Sequence, residues 1–93
     1  MPRHLTATSV RTNAPASPGI YGLSNAREWI FIGESDNIQA SLLEHLQQGY
    51  SAMMKKLPTG FVFEVRDSAG RAARREQLVF EYEPWWNRTP RER

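Results

Sequence analysis

The chain has 93 residues, a net charge of +2 and a pI near 9.4, which allows one domain and gives only a weak pull toward polyanions. It has no cysteine, so disulfides and thiolate metal sites are excluded. No apolar run approaches about 18 residues and no apolar stretch opens the chain; neither a membrane span nor a secretory signal is expected, and the cytoplasm is the default location.

Residues 1–17 are polar and proline-rich, with Leu5 and Val10 as the large apolar residues after Met1. They read as an irregular lead-in pinned by those two side chains. Pro18-Gly19 punctuates the start of a first strand over 20–23. Ser24-Asn25-Ala26-Arg27 is a turn, because Ser and Asn bond their own backbone. A second strand over 28–32 is β-branched and aromatic; regular alternation sets Trp29 and Phe31 on one face and Ile30 and Ile32 on the other.

Gly33 ends that strand, and Ser35 or Asp36 offers an N-cap for a helix over 37–48 with Ile38, Leu42 and Leu46 as its core stripe. A short helix is expected over 50–57 before Pro58-Thr59-Gly60 breaks it. Phe61 to Arg66 alternates cleanly as a third strand. A turn over 67–70 then leads into a helix over 71–83, with Ala72, Leu78, Val79 and Tyr82 on its buried face and Pro84 as its stop. The expected architecture is an α/β (α+β) sandwich. It has a three-stranded, mainly antiparallel sheet flanked by helices, in the order ββα(α)βα, with a domain over 18–87 and a loose tail over 88–93.

These residues also resemble a known family, the GIY-YIG nuclease domains. Gly19-Ile20-Tyr21 matches the first motif, and Phe31-Ile32-Gly33 matches the second with Phe for Tyr. Glu34-Ser35-Asp36-Asn37-Ile38 is similar to the usual continuation, and His45 stands where the family often has a helix histidine. Leu78, Val79, Tyr82, Pro84 and Asn87 keep the spacing of the family's closing motif. The resemblance covers roughly 18–87. It implies a strand tyrosine as base or nucleophile partner beside a second tyrosine, a helix arginine on the phosphate, and a late-helix glutamate holding one divalent metal.

Two charged positions depart from that pattern. The arginine position is Ser41, which cannot present a charged fork. The glutamate position is Arg75, which repels a cation. Glu76 lies one residue away, but anchoring on it breaks the rest of the closing motif and turns its side chain about 100° aside.

The remnant catalytic positions are thus Tyr21 and His45, with Phe31, Ser41, Arg75 and Asn87 at the other family positions. Arg71, Arg74, Arg75, Lys55 and Lys56 are the candidate nucleic-acid contacts, and no metal ligand is assigned. Trp85-Trp86 reads as the edge of the core, with base stacking as its functional alternative. The expected function is a nuclease-like scaffold that no longer cuts but binds DNA or RNA, with no cofactor. The alternatives are a module that binds an unidentified protein, and an endonuclease using Mg or Mn in a rearranged site.

Overall fold

The computed structural model describes residues 2–48 and 54–88. Its centre is β2 (Gly19–Ser24), whose six residues are all buried. A strand so placed has neighbours on both edges and cover on both faces. β3 (Trp29–Ser35) returns beside it through the Asn25 turn, where the Asn25 side chain accepts from the Arg27 and Glu28 amides. β4 (Gly60–Val65) pairs antiparallel with its other edge.

The sheet has four strands, in the order β1-β4-β2-β3, and not the three expected. The added strand, β1 (Arg3–His4), pairs antiparallel with the outer edge of β4, and α1 (Ala7–Asn13) follows it. The described elements run βαββαβαα, with a single 3-10 turn at Met54–Lys56 before β4, so the ββα(α)βα order is also corrected. Polar composition hid this start. A two-residue strand and a seven-residue helix are too short for apolar periodicity, and tertiary contacts hold them. Thr6 caps α1 by accepting from the Ser9 amide, and Leu5 and Val10 enter the core as expected.

α2 (Ile38–Gln47) lies on one face of the sheet with α1 beside it. Its N-cap is Asn37, and not Ser35 or Asp36; Ser35 Oγ instead accepts from the Asn37 amide. The lead-in fixes where α2 begins. The Ile38 and Gln39 amides donate to the Ser17 and Pro15 carbonyls, and Gln39 Nε2 donates to the Ala14 carbonyl at 3.0 Å. Ile38 and Leu42 are buried against Tyr21, Leu23, Ile30 and Phe61.

α3 (Ser68–Tyr82) covers the other face and packs chiefly on β3. It begins at Ser68, capped by Asp67, so most of the expected turn is helix. None of its residues is fully buried, and Ala72 is exposed. The half-buried stripe is Arg71, Arg74, Arg75, Leu78 and Val79. The long guanidinium stems do the covering that an apolar helix face would do. Glu83 ends the helix in the left-handed region at φ 47°, donating its amide to the Val79 carbonyl, and the buried Pro84 prevents continuation. α4 (Trp85–Arg88) sets Trp85 and Trp86 against the core edge.

β3 is not a regular strand. The register shifts opposite Leu23 and Ser24, leaving Ile30 as an extra residue between Phe31 and Trp29. Phe31, opposite Leu23, keeps the α2 face with Tyr21, while beyond the bulge Trp29 turns to the α3 face and packs on Tyr82 at 5.5 Å between ring centroids. The bulge overturns the expected pairing of Trp29 with Phe31. The rest of the short helix expected over 50–57 lies outside the described residues.

Candidate functional site

The site forms where β2, β3 and α2 meet. Alternation along β2 points Tyr21 toward α2, and the register, with Phe31 opposite Leu23, sets Phe31 on the same side. His45 comes down from α2, one turn after Ser41. The Tyr21 hydroxyl and His45 Nε2 are 2.7 Å apart. The Phe31 ring packs on both partners, with centroids 5.8 Å from Tyr21 and 5.6 Å from His45. Gly33 forms the floor: a Cβ there would stand 2.5 Å from Phe31 Cε2 and 3.1 Å from the Tyr21 hydroxyl.

Burial sets the protonation of this pair. Tyr21 is only 6% exposed, and burial, aided by the Glu44 charge, pushes its phenol up to about 12. Burial also lowers the His45 pKa, against smaller opposing effects from Gln48 and Glu44. Near neutral pH both groups are uncharged, and one neutral hydrogen bond joins them. Among the described residues His45 Nδ1 is buried without a hydrogen-bond partner.

Ser41, at the expected arginine position, is bonded to Ser35, with 2.6 Å between the hydroxyl oxygens. It belongs to the polar cluster at the start of α2. Asn87 does not line the pocket. Its side chain forks onto the outer edge of β3, accepting from the Ile32 amide at 2.8 Å and donating to the Ile32 carbonyl at 3.0 Å. That fork satisfies an exposed strand edge and holds the Phe31 to Gly33 segment in place.

The basic residues divide into paired and unpaired. Arg71 donates to the Ser35 carbonyl and to Asp36 Oδ1, both at 2.9 Å, with Glu34 at 3.8 Å. Arg74 forks onto Glu64, which also holds Arg66; these arginines, Arg74 first, keep the Glu64 carboxyl below its usual range. Lys56 pairs with Glu28 at 2.7 Å and lies 5.0 Å from the centre of the Trp85 ring. Lys55 is exposed. Arg75 is half-buried, and its Nε has no partner among the described residues. Sequence reasoning missed the roles of Ser35 and Glu64, because outward polar residues on a strand carry no signal of what they face. It also missed an apolar groove of about 260 Å³ beside α3, lined by Trp29, Ile32, Val62, Leu78 and Tyr82 among others.

Among the described residues, the group at the position where the resemblance implies a metal ligand does not fit a divalent cation. Among the described residues no three His, Asp or Glu side chains converge. At the position where the resemblance implies the metal glutamate stands a guanidinium, which has no lone pair to give.

No family profile and no curated protein matches the chain. Solved structures do. The GIY-YIG N-terminal endonuclease domain of UvrC from Thermotoga maritima, bound to its catalytic magnesium, superposes with a TM-score of 0.71 at 20% identity, covering 84% of this chain and 94% of that one. A tyrosine-to-phenylalanine point mutant of that domain, bound to its catalytic divalent cation, gives 0.71 at 21% identity over 84% and 94%. An asparagine-to-alanine mutant, also with its cation, gives 0.70 at 19% over 83% and 92%. The chain therefore shares the fold of a GIY-YIG endonuclease domain.

Proposed function

We propose that this chain is a GIY-YIG-type scaffold that no longer cleaves and that binds nucleic acid without a metal. The observation that carries the reading is the state of Tyr21. Its phenol is buried, bonded to a neutral His45 and shifted up to about 12, away from the pKa a general base or nucleophile needs. Ser41 in the arginine position and Arg75 in the glutamate position support it, since neither can do the work of the residue it replaces.

The test is fluorescence anisotropy with labelled single- and double-stranded DNA and RNA, in EDTA, at about 50 mM and about 200 mM salt. Salt-dependent binding, with no metal-dependent nicking of plasmid in Mg²⁺ or Mn²⁺, is the expected result. Cleavage that disappears in Tyr21→Phe overturns the proposal in favour of a working nuclease with a rearranged site. Absence of binding at the lower salt removes the nucleic-acid part.

A second reading, a protein-interaction module on the same scaffold, is favoured by Phe80, which is 85% exposed on the outer face of α3. A stoichiometric partner that resists nuclease treatment and is lost in Phe80→Ser supports it.

A further inference from the structure

Arg71, Arg74 and Arg75 share the sheet side of α3 but not their surroundings. Arg71 and Arg74 each meet a carboxylate within hydrogen-bond distance. Arg75 is half-buried, its Nε fully enclosed, and it has neither a hydrogen bond nor an ion pair among the described residues. An arginine keeps its proton, so among the described residues this is a cation with one enclosed N–H and no counter-charge. An anion from outside the chain would satisfy it.

The flanking contacts locate it. Arg71 reaches Ser35 at the end of β3, and Leu78 lines the groove with Ile32, nearer the start of the strand. Seven helical residues rise about 10 Å. Three strand steps cover about the same length. Helix and strand thus run in step, and Arg75 comes opposite Gly33 and Glu34. The Glu34 carboxylate lies toward Arg71, at 3.8 Å. A Cβ at Gly33 would point to the side holding the Tyr21 hydroxyl, so at this position the strand turns backbone toward α3.

We propose that Arg75 anchors a metal-independent phosphate site beside Gly33, on the α3 side of β3. The inference rests on the nucleic-acid reading above and names the contact through which it acts. A planar guanidinium fork matches two phosphate oxygens, which a lysine at the same position cannot do. The same chemistry serves inorganic phosphate and a phosphodiester backbone.

The test follows the Arg75 Nε–H resonance in ¹⁵N-labelled protein, in EDTA, during titration with inorganic phosphate and then with a 12-nucleotide DNA. Wild type is compared with Arg75→Met and Arg75→Lys, and urea midpoints are recorded without ligand. The expected result is a saturable shift of that resonance with both probes. Arg75→Met loses about tenfold in oligonucleotide affinity, Arg75→Lys loses less, and the ligand-free urea midpoint of Arg75→Met is unchanged or higher. A shift with phosphate but none with DNA keeps the site and removes the nucleic-acid reading. DNA binding equal in wild type and Arg75→Met overturns the site and leaves that reading standing. A lowered midpoint in Arg75→Met with unchanged affinity in Arg75→Lys makes Arg75 a packing residue and also overturns it.

Discussion

The Asn87 fork gives a quantitative test of how the site is held. Asn87 lies 55 residues from Ile32 in sequence, and its two bonds close onto the outer edge of β3. In an antiparallel edge strand every second residue turns its amide and carbonyl outward, and at Ile32 those groups meet Asn87. Each such bond contributes about 0.5–1.5 kcal/mol net, so Asn87→Ala should cost about 1–3 kcal/mol. For a domain of this size that is a sizeable share of a total near 5–14 kcal/mol, and with a urea m-value of about 1–1.5 kcal/mol/M the midpoint falls by about 0.7–3 M. Asn87→Asp keeps the acceptor for the amide but sets a carboxylate against the Ile32 carbonyl, so at neutral pH it should be at least as damaging as alanine. Urea denaturation gives the free energies, and hydrogen exchange of the Ile32 amide gives the local effect: protection present in wild type is lost in Asn87→Ala, which has no acceptor for it. An Asn87→Ala protein within about 0.5 kcal/mol of wild type, with the Ile32 amide still protected, would refute the role assigned to the fork.

Further outcomes follow from contacts and burial. Gly19→Ala places a Cβ 2.2 Å from the Glu64 carbonyl oxygen, a backbone atom that cannot step aside; the loss should exceed about 3 kcal/mol and leave little folded protein by circular dichroism. Tyr21, titrating at about 12, should give an ultraviolet phenolate step well after that of an ordinary tyrosine, absent in Tyr21→Phe; because its folded pKa is raised, stability falls as pH climbs from 10 toward 12. His45 has a lowered folded pKa, so the unfolded chain binds more protons just below 6.5. Stability is full above that value and declines as pH drops toward the folded pKa, and His45→Gln should flatten that limb in urea titrations from pH 7 to 5.

How much could be read beforehand differed by element. The hairpin of β2 and β3, the strand β4 and the helices α2 and α3 were legible because each carries an apolar run or stripe bounded by turn, cap or stop residues. β1 and α1 were not, since Arg3 and His4 become a strand only by bonding to Gly60 and Phe61. The facing of Trp29 and Phe31 was misread for a related reason. A one-residue bulge inverts every side chain beyond it, and nothing local in Trp29-Ile30-Phe31 announces it.

The candidate site divides in the same way. Sequence alone identified Ser41 and Arg75 as the residues at the positions where the resemblance implies an arginine and a glutamate. Side-chain chemistry requires no coordinates: serine has no charge to give and arginine no lone pair. Tertiary structure decided what those residues meet. It joined Tyr21 to His45 across 24 residues of sequence, matched Arg71 and Arg74 to carboxylates on other elements, and left Arg75 unmatched among the described residues. The physical reason is that charge pairing and burial depend on distances between elements, which the chain specifies only by folding.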